Sequence, residues 1–113
     1  MRGIAKFKLG DAEHSLPVPL EAAEAIEAAT DKGIMRLMRE VLARDAMLKD
    51  VVTILVVAFN TSSKTREYTR TDIGDMIRQS GMFNGYLAAG KVLGALFEAP
   101  EEAKSTKGKA PAN

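Results

Sequence analysis

The apolar residues of this chain change their period at Pro17–Pro19, and that change sets the order of its parts. Before it, Ala5, Phe7 and Leu9 alternate with Lys6 and Lys8, the two-residue period of a strand with one buried face. Gly10 to Glu13 supplies turn residues, and Leu16 and Val18 resume the alternation over 13–18. Pro17 has no N–H to give to a ladder, so this second strand lies at an edge or stops pairing there. A lone hairpin is marginal in water. The hairpin, residues 2–18, must therefore pack on the remainder of the chain or pair with another chain.

Beyond Pro19 the patterning is helical. Pro19 suits a first turn, and Glu21 there meets the positive end of the helix dipole. Helix one is expected over 19–29, with Leu20, Ala23 and Ile26 inward and Glu21, Glu24 and Glu27 in solvent. Thr30 or Asp31 is the expected cap of helix two, 32–44, whose Ile34, Leu37, Met38, Val41 and Leu42 follow one buried stripe. Val51 to Val57 is rich in β-branched residues and would suit a strand. The apolar residues nevertheless run from Met47 to Phe59 without Gly or Pro, which predicts a largely buried central helix over 46–59. A polar loop, 60–70, leads to a short helix over 72–79, started at Thr71 and ended by Gly81 as a left-handed cap. The last helix, 82–97, carries Phe83, Tyr86, Leu87, Val92, Leu93, Leu96 and Phe97. The predicted class is mainly α with an N-terminal β-hairpin (α+β), a small bundle of four to five helices forming one domain over 1–97. Residues 98–113 hold no large apolar side chain and are expected to be a disordered tail.

Composition narrows the function classes. The 113 residues carry 16 basic and 15 acidic side chains, a net charge of +1, which provides no general attraction to nucleic acid or anionic membrane. No cysteine is present, so disulfides and thiolate metal sites are excluded. Met1 to Leu9 alternates charge and apolarity, unlike a signal peptide, and the run Val51–Phe59 is far below the ~20 residues that span a bilayer. The expected location is the cytoplasm, with no membrane partner.

No catalytic, cofactor-binding or metal-ligating residue is expected. His14 is the one imidazole and reads as an exposed turn residue, since a general base needs an orienting partner and a substrate pocket. Ser62-Ser63-Lys64-Thr65-Arg66 lacks the glycine spacing of a phosphate loop. Lys64, Arg66 and Arg70 could instead touch a DNA backbone, which gives the alternative of a small DNA-binding regulator. Asp72 and Asp75 on the next helix oppose it, so nucleic acid is not the expected partner. The candidate protein-binding residues are Met35, Met38 and Met47, whose thioethers repack readily, and Gly90 and Gly94, which thin one face of the last helix. Phe7 joins them if the hairpin adds a strand to a neighbour. The glycine pair fits an oligomer contact and close packing within the monomer equally well.

The stretch Ile4-Ala-Lys-Phe-Lys-Leu-Gly-Asp-Ala-Glu-His-Ser-Leu-Pro-Val-Pro-Leu-Glu-Ala-Ala-Glu-Ala-Ile-Glu resembles the opening of the gene-transfer-agent tail-tube family, which is grouped with phage tail assembly chaperones. The likeness lies in the hairpin around a Gly/Asp turn and in Leu20, Ala23, Ile26 and Glu27 of the first helix. Downstream the order also matches: an apolar segment ending in a polar loop (Val51 to Lys64), a short helix, then a final apolar helix (Phe83 to Phe97). Asn60-Thr61-Ser62-Ser63 stands where the family usually carries glycines. The resemblance implies a non-enzymatic role in phage or gene-transfer-agent tail assembly, as a chaperone for the tape-measure protein and tail-tube subunits. Association with the virion is a further location it allows, while a homo-oligomer is the further partner state that the Gly90 and Gly94 pair leaves open. The resemblance implies no cofactor and no defined binding residue.

Overall fold

The computed structural model describes residues 3–98. The tail expected over 98–113 lies outside them from residue 99 onward. The fold is an antiparallel two-stranded hairpin followed by five helices.

Strands β1 (Ile4–Leu9) and β2 (Ala12–Pro17) pair from Ile4↔Pro17 to Leu9↔Ala12. The turn is therefore Gly10-Asp11 alone, two residues shorter than the sequence suggests, and β2 starts at Ala12. Gly10 takes φ +70° at the first turn position, as a primed hairpin turn needs, and glycine supplies that at no steric cost. The period-two alternation holds: Ala5, Leu9 and Leu16 are buried while Lys6, Lys8, Glu13 and Ser15 face out. Pairing reaches one residue beyond Pro17, where Val18 N–H donates to Gly3 O at 2.8 Å.

Helices α1 (Leu20–Thr30), α2 (Ile34–Leu42), α3 (Leu48–Ser62), α4 (Arg70–Ser80) and α5 (Met82–Ala95) complete the chain. The Val-rich run is helix, as its length required. α3 buries Val51, Val52, Ile54, Leu55, Ala58 and Phe59 against α1, α4, α5 and β2, and this burial outweighs the weak β preference of valine. Two inward assignments fail: Leu20 is 72% and Leu42 66% exposed. Toward the C-terminus Phe83, Leu87 and Phe97 are exposed as well. Ala22, Ala23 and Ile26 fill the α1 contact instead, and Leu37 and Val41 the α2 contact.

The caps also depart from expectation. Neither Thr30 nor Asp31 caps α2. Asp31 closes α1 in the left-handed region (φ 59°), and Thr30 Oγ donates back to Ile26 O at 2.8 Å. The cap position of α2 is Gly33, and the orphan Ile34 N–H donates to the Glu27 carboxylate at 2.9 Å. α4 starts at Thr69 rather than Thr71. The Thr69 hydroxyl accepts from Asp72 N–H, and the Asp72 carboxylate accepts from Thr69 N–H at 2.9 Å. Gly81 serves both α4 and α5, but with φ 97° and ψ 145°, outside the left-handed helical well. That well is used at the end of α2 by Arg44 (φ 58°), with Arg44 N–H donating to Val41 O and Asp45 N–H to Glu40 O. Such a terminus usually takes glycine, and an L side chain there costs roughly 1 kcal/mol.

The Ser80 hydroxyl accepts from Gly10 N–H and donates to Gly10 O at 3.2 Å, which pins the hairpin turn to the end of α4. Phe7 and His14 close over Phe59, ring centroids 6.0 and 4.9 Å away, and Tyr68 packs on its other side at 4.9 Å. The hairpin thus roofs the central helix.

Candidate functional site

Two polar constellations can be weighed before the apolar surface. The first centres on Asp50, 1% exposed in the first turn of α3. Lys32 Nζ lies 2.7 Å from its carboxylate and 3.1 Å from Glu40, and Glu40 also receives Arg36 at 3.0 Å. Hydrogen bonding to Asp50, then to Glu40, holds the Lys32 ammonium above its ordinary value, and Lys32 followed by Arg36 holds Glu40 below the usual carboxylate range. Each charge here is matched by another. The cluster ties the α1–α2 connection to α2 and α3, and such mutual satisfaction is what a structural staple requires. The sequence carries no signal for it, since Lys32 and Asp50 stand eighteen positions apart and neither sits in a recognisable motif. Among the described residues no group of three or more His, Cys, Asp or Glu side chains could hold a metal.

The second is His14. It is half-buried rather than exposed, packed between Phe7 and Phe59, with Nε2 3.1 Å from Leu9 O. A carbonyl only accepts, so Nε2 carries the proton in this contact. The ring has a packing role and an internal partner. Neither the pairing of His14 with Phe7, set by the two-residue turn, nor the arrival of Phe59 from α3 was legible in the sequence.

The basic loop is similarly occupied. The Arg66 guanidinium stacks 4.2 Å from the Tyr68 ring and lies 3.6 Å from Asp72. Arg70 donates to Thr53 Oγ at 2.7 Å and to Lys49 O at 3.1 Å. Asn60 clamps the loop by donating to Tyr68 O and accepting from Tyr68 N–H. Two of the three cations offered to DNA are thus engaged within the fold.

The apolar surface gathers on α5. Phe83, Leu87, Gly90 and Gly94 recur at spacings of four, three and four, one face of a helix. The opposite face carries the buried Gly85, Ala88, Ala89, Val92 and Leu93. Between this outer face and α2 runs a groove of about 250 Å³, floored by Val41 and Gly90, with Leu42 (66% exposed) and Leu87 (42%) on its walls and Arg44 and Lys91 at its rim. On the other flank of α5 a second groove runs along β1, bounded by Lys6, Lys91 and, at one end, Glu98; Gly90 and Gly94 lie in its lining. The Arg44 guanidinium covers the Phe83 ring at 4.8 Å. Tyr86 fixes the register of α5 by donating to Ala46 O at 2.7 Å. No helix among the described residues is long and apolar enough to cross a membrane.

The candidate binding residues separate. Gly90 lines both grooves and Gly94 the one along β1, and they also pack within the monomer. A Cβ at Gly90 would meet Val41 Cγ1 at 3.6 Å, and one at Gly94 would meet Met38 Cε at 3.9 Å. Met38 is half-buried against α5, while Met35 (60%) and Met47 (56%) are exposed away from the groove lining. Phe7 is spent on the aromatic roof. Leu42 and Leu87 wall the groove, and helical periodicity had put Leu42 in the core. Their shared exposure depends on where α2 stops beside α5. No protein-family model, curated protein or solved structure matches the chain.

Proposed function

We propose that this chain is a non-enzymatic tail-assembly chaperone of a phage or gene transfer agent, acting in the host cytoplasm, which holds helical segments of the tape-measure protein or of tail-tube subunits. The observation that supports it is the exposed apolar groove between α2 and α5, walled by Leu42 and Leu87. An apolar trough suits the apolar face of an amphipathic helix, and repeated weak contacts along a long partner add up by multivalency. The resemblance of residues 4–97 to the tail-tube family supplies the identity of the partner. The DNA-binding alternative has less support, because Arg66 and Arg70 already have partners in the fold.

The test is co-expression of the tagged chain with the long helical protein encoded beside it. Mass spectrometry and light scattering should report several copies retained per partner. Leu87→Asp, at an exposed site, should reduce retention by about tenfold or more, the scale of an interface hot spot. A wild-type chain that retains no such partner overturns the proposal.

A further inference from the structure

The two edges of the hairpin are unequal. Leu9↔Ala12 closes a two-residue turn and Val18 N–H donates to Gly3 O, so the odd-numbered residues of β1 and the even-numbered residues of β2 bond across the pair. The N–H and C=O groups of Ile4, Lys6 and Lys8 therefore point away from β2, and those of Glu13, Ser15 and Pro17 away from β1. Pro17 has no N–H, so the β2 edge offers an incomplete row of donors. The β1 edge keeps all of its donors, and among the described residues they form no backbone bond to another element. Beside this edge the flank of α5 leaves room. Lys6 and Lys91 line both a groove of about 260 Å³ that reaches Lys8 and Leu87 and one of about 390 Å³ that runs past Gly90 and Gly94 to Glu98. The ion pairs among the described residues engage Lys32, Arg36, Lys49 and Arg66, and none of Lys6, Lys8 or Lys91. Glu13 stands opposite Lys8 without an ion pair, and Glu98 accepts from Gly3 N–H at 3.2 Å.

We propose that the β1 edge accepts an extended acidic segment of a partner protein as a third strand. Its backbone completes the bonds that Lys6 and Lys8 leave open. Carboxylates two positions apart meet the Lys6 and Lys8 ammoniums on the outer face of the sheet, where both lysines are exposed. The residue between them turns to the α5 side, where Leu87 and Gly90 favour a short or apolar side chain. A second copy's β1 is opposed at this edge, because lysines would stand opposite lysines. The same two side chains thus reject the chain's own strand and select an acidic one. This surface is separate from the groove between α2 and α5, and the proposal does not rest on the tail reading.

Fluorescence anisotropy of a labelled peptide of alternating Glu and Val, added to the purified full chain, tests it. The peptide should bind, and more weakly as salt rises. Lys6→Glu with Lys8→Glu, both at exposed sites, should keep the wild-type thermal melt and weaken binding about tenfold or more. N-methylating either the glutamate or the valine amides keeps every carboxylate. The one of these two peptides whose methyl groups face β1 should weaken to a similar extent. With the parent peptide bound to wild type, hydrogen exchange at the Lys6 and Lys8 amides should slow. A wild type that binds no peptide overturns the proposal. So do lysine variants that bind like wild type, methylated peptides that both bind like the parent, or slowed exchange confined to Glu13 and Ser15 on the β2 edge. A single-stranded oligonucleotide that binds more tightly than the peptide overturns it as well.

Discussion

Single positions are decided by what lies within 4 Å of them. Gly85 is the glycine that packing requires: a Cβ there would stand 3.0 Å from Ile77 Cγ2 and 3.2 Å from Cγ1. Ile77 is buried and branched at Cβ, so it has little freedom to yield. Gly85→Ala is expected to destabilise the fold, the overpacking of about 1–3 kcal/mol exceeding the helix-propensity gain of about 1 kcal/mol. Gly74 in α4 has nothing within 4 Å of its would-be Cβ. Gly74→Ala should therefore stabilise by about 0.5–1 kcal/mol. Urea midpoints of the two variants should move in opposite directions. Gly90 and Gly94 stand out in the sequence by their spacing. Gly85 carries no spacing signal, because its constraint comes from a side chain on another helix.

Elements begin and end where local hydrogen bonds can be completed. The box between Thr69 and Asp72 starts α4, and its Thr-x-x-Asp spacing was present in the sequence beside the competing Thr71-Asp72 pair. The structure chose Thr69 because only that spacing lets both backbone N–H groups be satisfied reciprocally. Thr69→Ala should cost about 1 kcal/mol in chemical denaturation. The box is also a pH element. The hydrogen bond from Thr69 N–H, helped by Arg66, holds the Asp72 carboxyl below the usual carboxylate range. A carboxyl whose folded pKa is lowered contributes stability above its unfolded pKa and loses it as pH falls through the folded value. Stability should thus fall more steeply below about pH 4 in wild type than in Asp72→Asn, read from thermal melts across pH. Opposite behaviour would assign the acid limb to other carboxylates, Glu40 foremost.

The whole molecule coheres around α3. Phe59 is 2% exposed and is the point where the hairpin, the central helix and the polar loop meet, through Phe7, His14 and Tyr68. Phe59→Ala should cost about 3–5 kcal/mol, a large part of the 5–15 kcal/mol that stabilises a domain of this kind. Because that ring touches all three parts, hairpin and helix signals in circular dichroism should be lost in one transition. A hairpin that melts ahead of the helices would contradict this coupling.

Periodicity and length by themselves determined the hairpin, the helical character of all that follows it and the helical state of Val51–Val57. Each of these depends on spacing along one segment, and a segment carries its own spacing. The Lys32–Glu40 cluster around the buried Asp50, the aromatic roof over Phe59 and the exposure of Leu42, Phe83 and Leu87 were decided by tertiary structure. An amphipathic stripe states which residues prefer to leave water. It does not state how wide a partner the fold will bring to them. α2 is only nine residues long and stops at Leu42, so its contact with α5 covers Val41 and Met38 and leaves the outer apolar edge of both helices open.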